Sequence, residues 1–284
     1  LSLFWEVTGM NYIKEIQRFE QYLLTEEKSA ATIEKYLRDI RGFCSHLAGR
    51  RISKEETIAY KEHLTAEYSP ASVNSMLIAL NRFLRFLGLQ DCCVRPLKIQ
   101  RQIFSREDKE LTKAEYQRLV KAAGNTRLSL VIQTICGTGI RVSELQYITA
   151  EAVRAGKAVV NCKNKTRVIF IPTSIQKLLK PYMKKSGITA GSVFVTRSGK
   201  PLNRRNIWRD MKALCERAGV SPNKVFPHNL RHLFARTFYG LEKDIVRLAD
   251  LLGHSSVDTT RIYTMETGDG HRLRLERVEN LLMT

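Results

Sequence analysis

The sequence has no run of roughly 18 consecutive apolar residues, so no segment is written to span a bilayer as a helix. It has no CxxC pair and no Cys/His spacing of the zinc-finger kind, which excludes the common structural zinc sites. Its six cysteines, Cys44, Cys92, Cys93, Cys136, Cys162 and Cys215, fall mostly within apolar segments, as free thiols do in a reducing cytoplasm. No cluster of carboxylates marks a two-metal centre, and neither a metal nor another cofactor is expected. The opening LSLFWEVTG lacks the basic region of a signal peptide; residues 1–10 read as an extension, with Met10 the natural start. Negative charge is scarce as well: 28 Asp and Glu stand against 47 Lys and Arg, a net charge of +19. A surplus of that size points to a polyanionic partner.

What is present is a globular chain, 43% hydrophobic and long enough to bury a core. Its first part is written in helical periods. Ile13, Ile16, Phe19 and Leu23 form one stripe; Thr32 reads as an N-cap for a second helix carrying Ile33, Tyr36, Leu37, Ile40, Phe43, Cys44 and Leu47. A third helix is expected from Lys54 to Tyr68, and a fourth, after Ser69-Pro70, along Val73, Met76, Leu77, Leu80, Phe83, Leu84 and Leu87, closed by Gly88. Residues 11–92 therefore read as a small helical domain whose polar faces carry Arg38, Arg82 and Arg85, candidates for contact with phosphates. Residues 93–109 keep no period and are basic, with Arg101 among their charges, so they read as a linker.

The second domain, 110–270, opens on a capping box, Thr112 with Glu115. An apolar helix follows and stops at Gly137-Thr138-Gly139, which puts Arg141 at the start of a helix over Val142–Tyr147, an end that favours anions. KAVVNC and TRVIFIP read as two strands, with Lys163, Asn164 and Lys165 in the turn between them. A further strand is expected at Ser192–Thr196. A single helix over Asn203–Ala218 is expected to turn Ile207, Trp208, Met211 and Leu214 to the core and Arg204 and Arg205 outward, as candidates for groove or phosphate contact with DNA. Pro227 starts a helix on which His228 and Arg231, three apart, share a face. His254 follows Leu252-Gly253, and Tyr263 lies nine residues later. Two arginines, two histidines and a tyrosine are what a site needs to hold a phosphodiester and attack it without a metal: the cations hold the non-bridging oxygens, imidazoles share or move protons, and a phenol is the nucleophile. His232 and Arg236 are read as structural.

The segments GTGIRVSEL, PHNLRHLF and LGHSSVDTTRIYT, in this order around a lysine-bearing hairpin, resemble the tyrosine recombinases, the phage-integrase and Xer family of site-specific DNA recombinases. The resemblance spans roughly residues 12 to 280. It implies a mainly α fold with a small β-sheet (α+β): a helical, SAM-like core-binding domain and a mixed α/β catalytic domain, closing on double-stranded DNA as a C-shaped clamp. It implies that Tyr263 forms a 3′-phosphotyrosyl intermediate, that Arg141, Arg231 and His254 hold the phosphate, that His228 accepts the tyrosine proton, that Glu144 supports the site, and that a hairpin lysine protonates the leaving 5′ oxygen. The usual hairpin pattern is one residue longer, so Lys163 is preferred and Lys165 remains the alternative. The stretch 271–284 would be a C-terminal helix exchanged between protomers of a tetramer on two DNA sites, in the cytoplasm and nucleoid-associated, with accessory proteins possible and no membrane involved. The lack of room for an arm-binding domain before Asn11 suits a simple recombinase acting on short core sites. A silent DNA-binding regulator on the same fold, or relaxation of the type IB topoisomerase kind, are the alternative readings.

Overall fold

The computed structural model describes residues 11–99, 109–162, 165–196, 198–254 and 256–263, and beyond them 272, 276–280 and 282–283. Contacts divide the chain into two compact units, residues 1–101 and 102–284. The whole is mainly helical, with a small two-stranded sheet.

The first unit holds α1 (Asn11–Thr25), α2 (Ala30–Leu47), α3 (Lys54–Glu67) and α4 (Pro70–Phe86). The last three begin alike: Ser29, Ser53 and Ser69 each accept a hydrogen bond from a backbone amide of the first turn, and Pro70 follows its cap at the position where a missing N–H costs nothing. The cap of α2 is thus Ser29, not Thr32, whose own amide is the donor to Ser29 Oγ. Phe19, Leu23, Ile40, Phe43, Leu47, Leu77, Phe83 and Leu84 are fully enclosed between the four helices. The stripe of α1 is turned relative to its sequence reading. Tyr12 is buried and Ile13 is 62% exposed, because the Tyr12 hydroxyl reaches the Arg50 carbonyl at 2.7 Å. Chain beyond α4 is fastened back onto the unit. Asn81 Nδ2 donates to the Val94 carbonyl and its Oδ1 accepts from the Val94 amide, and Asn74 makes the same pair of bonds to Leu97.

The second unit begins with α5 (Lys113–Ala123), opened by the Thr112/Glu115 capping box, and α6 (Arg127–Thr138). Residues Val142–Tyr147 form a 3₁₀ turn, followed by α7 (Ala150–Ala155). Strands β1 (Lys157–Cys162) and β2 (Lys165–Phe170) pair antiparallel, Lys157 opposite Phe170 and Cys162 opposite Lys165. Lys165 therefore belongs to the strand rather than to the turn. Ala158, Val160 and Ile169 face the core, while Val159, Val168 and Phe170 face out, as the two-residue period requires. Next come α8 (Thr173–Lys185), α9 (Arg204–Ala213) and α10 (Cys215–Ala218), then α11 (Pro227–Glu242), α12 (Ile245–Leu252) and α13 (Val257–Thr260), which runs into a 3₁₀ turn at Arg261–Tyr263.

Three expectations are corrected in this unit. The stretch 192–196 pairs only through isolated bridges, Thr149 with Ser192 and Val195 with Pro201, so it is an edge contact and not a strand. The helix expected over 203–218 breaks at Leu214 into α9 and α10. Trp208 is 49% exposed, since Ile207 and Met211 already fill the core face of α9. Among the described residues no helix is long and apolar enough to cross a membrane.

Candidate active site

Helix α11 packs on α6, and that contact brings Arg231 beneath the glycine turn that ends α6. Gly139 takes φ +65°, and a Cβ there would lie 2.4 Å from the Phe234 ring. The turn thus closes only around a glycine, and its carbonyl accepts from Arg231 Nη1 at 2.6 Å. Arg231 Nη2 donates to the Leu252 carbonyl at 2.8 Å and to His254 Nε2 at 2.9 Å. At 1% exposure Arg231 is the largest fully buried side chain among the described residues. Burial first, and the nearby Arg141 cation second, bring its pKa down to about 10, so it stays charged at neutral pH; the Tyr263 hydroxyl, hydrogen-bonded to it, acts the other way.

His254 sits at the positive-φ end of α12, directly after Gly253. A guanidinium has no acceptor, so the His254 Nε2 facing Arg231 carries the lone pair. The ring proton then lies on Nδ1, which donates to Thr260 Oγ1 at 2.8 Å. Burial, then Arg231, Arg141 and Arg167, push His254 down to about 4, and the ring is neutral at pH 7. It stacks on Tyr263 with 5.8 Å between centroids and 18° between planes. Tyr263 itself is only 4% exposed, held among Ala235, Leu248 and Leu252.

Arg141 caps the 3₁₀ turn, with its side chain 41% exposed. Glu144, 1% exposed, takes the Arg141 amide at 2.7 Å and the Arg141 guanidinium at 3.1 Å. Its remaining partner is Arg167 on β2, Nη2 to Oε2 at 2.5 Å. Two guanidiniums share this one carboxylate and a third, that of Arg231, is close enough to feel both, so the surplus positive charge makes this part of the fold an anion site.

His228 lies on the open side of α11. Neighbouring protein first, then Arg231, Arg141 and Arg204, hold its pKa below the ordinary imidazole value, so it is unprotonated at neutral pH. Its ring does not touch Tyr263 directly. His232 stands between them, 4.5 Å from His228 and 4.6 Å from Tyr263, edge to face with both. Burial pushes His232 down to about 4. Sequence reading left this histidine aside, although its spacing of four from His228 on one helix is the signal that finds it. Arg167 was missed too, and its alternation with the hairpin lysines along one strand is a weaker sign. Arg236 is structural, pairing with Glu110 and the Leu111 carbonyl.

The structure thus brings together Arg141, Glu144, His228, Arg231, His254 and Tyr263. Lys163 and Arg101 lie outside the described residues, as does the side chain of Lys165. Of the other candidates, Arg204 and Arg205 are exposed on the first turn of α9, and Arg204 is near enough to His228 to act on its titration. Arg38 is 71% exposed and Arg85 is exposed. Arg82 is engaged within its own unit, 2.5 Å from Glu26 and over the Tyr22 ring. No group of His, Cys, Asp and Glu among the described residues is arranged to hold a metal ion.

Residues 109–268 match the phage integrase family, and residues 16–90 match the N-terminal SAM-like domain of phage integrases. The chain is 31% identical over 276 residues to the tyrosine recombinase XerA of Thermococcus kodakarensis, covering 93% of this chain and 95% of that protein. Among solved structures it resembles the XerA recombinase at 26% identity, with a TM-score of 0.53 over 93% of this chain and 97% of that one. It shares the fold of a lambda integrase tetramer bound to a Holliday junction, with a TM-score of 0.72 at 21% identity over 90% of this chain and 77% of that one. With motif order, buried site and whole-chain similarity in agreement, the chain belongs to the phage integrase family, among the relatives of the Xer tyrosine recombinases.

Proposed function

We propose that this protein is a site-specific DNA recombinase that cuts and rejoins strands through a tyrosine. The observation that carries the reading is the meeting of Arg231, His254 and Tyr263 in one buried cluster, beside a second arginine held by a buried carboxylate. Tyr263 attacks the scissile phosphorus, the 5′ oxygen leaves, and a 3′-phosphotyrosyl bond remains. A 5′-hydroxyl from a partner strand then attacks that bond and releases the tyrosine. Each step exchanges one phosphodiester for another, so the reaction needs no external energy source.

Arg141 and Arg231 stabilise the charge that grows on the non-bridging oxygens; losing one such contact typically costs on the order of 100-fold in rate. His228, neutral at pH 7, is in the form a base needs to take the phenolic proton once Tyr263 has turned out past His232 to meet the phosphate. His254 serves the phosphate through Nε2. When a phosphate oxygen takes over the Arg231 donor, His254 shifts its proton to Nε2, and Thr260, whose hydroxyl donates as readily as it accepts, follows at Nδ1. The hairpin lysine, Lys163 by preference over Lys165, protonates the leaving oxygen.

Double-stranded DNA is the partner that the net charge of +19 calls for. A crystal structure of the XerH recombinase holds its difH substrate, and the lambda integrase structure is a tetramer on a junction. By analogy this chain works as a tetramer on two sites where the cell keeps its DNA, with segment 271–284 exchanged between protomers and arginines of both units on the duplex. The relatives are recombinases, and the silent-binder and topoisomerase readings find no support among them.

The test is covalent trapping on nicked duplexes drawn from DNA beside the gene. An SDS-resistant adduct formed by the native protein, absent in Tyr263→Phe and retained in Tyr239→Phe, is the expected result. An adduct that survives Tyr263→Phe would overturn the assignment of the nucleophile, and tight binding without any adduct would overturn the enzyme.

A further inference from the structure

Arg167 occupies a place that the reaction above does not use. It projects from β2, is 85% enclosed (15% side-chain exposure), and spends its guanidinium on two elements at once. Nη2 donates to Glu144 Oε2 at 2.5 Å, and Nη1 donates to the Leu251 carbonyl at 2.5 Å. Glu144 is the carboxylate that holds both the amide and the guanidinium of Arg141. Leu251 lies in the turn whose next carbonyl, Leu252, takes Arg231, and whose following residues are Gly253 and His254. One side chain therefore joins the Arg141 side of the site to the His254 side.

The fit is close. A Cβ at Gly253 would stand 2.5 Å from Arg167 Cδ and 2.9 Å from its Nε, so the glycine is the room in which Arg167 lies. The Arg167 charge is also felt across the cluster, since it helps to lower both Arg231 and His254.

We propose that Arg167 is a positioning residue, a brace that fixes the Arg141 guanidinium and the His254 turn at the separation a phosphodiester requires. The proposal rests on the recombinase reading and deepens it. Arg167 works through Arg141 and His254; it does not contact the substrate. A planar fork is needed, because an ammonium reaches one of the two acceptors and leaves the other.

The test measures the first-order rate constant of adduct formation by the full-length protein bound to a nicked duplex, so that an unfolded fraction lowers the amplitude and not the rate. Two substrates are compared: the ordinary phosphodiester, and a methylphosphonate at the scissile position. The methyl group removes the charge that the guanidiniums neutralise, so a displaced arginine matters less there. Arg167→Gln is expected to slow the phosphodiester about 100-fold and the methylphosphonate by less than about 5-fold, following Arg141→Gln on both. Arg167→Lys, which keeps the charge, is expected to recover less than half of the lost rate on the phosphodiester. Adding Arg167→Gln to Arg141→Gln should cost clearly less than Arg167→Gln costs alone, because the Arg141 branch of the brace is already gone and only the His254 branch remains.

Equal slowing on the two substrates would make Arg167 merely structural and overturn the proposal. So would an undiminished rate in Arg167→Gln, or full recovery in Arg167→Lys. Absence of any Tyr263-dependent adduct from the native protein would instead fall on the recombinase reading, and the brace would go with it.

Discussion

Among the described residues of the N-terminal unit the buried polar side chains are Asp39, Thr57 and Asn81, and each secures structure. Asp39 takes the Lys35 ammonium, Thr57 bonds the Lys54 and Cys92 carbonyls, and Asn81 holds Val94 from both sides. In the catalytic unit the buried polar side chains include Arg231 and Glu144, and neither is what a core requires. Desolvating a charge costs several kcal/mol even when it is paired, and an apolar replacement of the same shape is often neutral or better for stability. The first unit buries polar groups, the lysine-paired Asp39 carboxylate among them, to finish a fold. The second buries charge because a charge held still, away from water, is worth more to a phosphate in its transition state.

The contrast is sharpest at Arg231. Replacement by Met leaves the Gly139 and Leu252 carbonyls and His254 Nε2 without their donor. We expect adduct formation to fall by at least about 100-fold while stability moves far less, because relief of the buried charge offsets the acceptors left without a donor, each worth about 1–3 kcal/mol. Equilibrium unfolding beside the trapping assay checks both, and an undiminished adduct rate constant would break the comparison. Phe83→Ala probes the other unit. Phe83 is fully enclosed among Phe19, Leu37 and Ile40, so a loss of about 3–5 kcal/mol is expected, while the adduct rate constant of the bound protein stays unchanged.

Acid should act mainly on the catalytic unit. His232 and His254 titrate at about 4 when folded, against about 6.5 for a free imidazole. As pH falls below the unfolded value the unfolded chain takes up protons first, so stability is full above about 6.5, declines from there to about 4, and is level below. The decline amounts to at most about 3 kcal/mol for the more deeply buried His232 and to less for His254, whose partial exposure lets solvent screen it. Hydrogen exchange at pH 7 and pH 5 would show it, with the protection of α11 and α12 lost before that of α2 and α4. The smallest effect is expected at the exposed Arg85: Arg85→Ala should leave stability within about 0.5 kcal/mol and flatten the dependence of log affinity on log salt by about 0.9. An unchanged slope would remove Arg85 from the duplex.

The helical unit was legible because its signal is local. Leu37, Phe43 and Leu80 announce their burial through spacing alone, whereas the cap of α2 reads at Thr32 in the sequence and falls on Ser29 in the fold. Where the reading slipped, a distant partner decided. Tyr12 outranks Ile13 because Arg50 offers it a carbonyl, and Trp208 is left outside because two smaller residues suffice. In the catalytic unit, motif order pointed to Arg231, His254 and Tyr263, which the fold sets side by side. It did not point to Arg167, His232 or Thr260. Their importance lies in contacts across 84 residues for Arg167 and across a helix for His232, and no periodicity carries such information.

Gly139 and Gly253 flank the buried arginine, the first supplying one of the carbonyls it binds and the second following the residue that supplies another. Each takes a positive φ, and at each an added methyl would strike a side chain that the site needs in place, Phe234 in one case and Arg167 in the other. Most of the chain is free to drift, since one aliphatic residue can stand for another in a core. These two positions have no synonym. In a library of every single substitution they should stand out as sharply as the tyrosine itself, although neither has a side chain with which to take part in any chemistry.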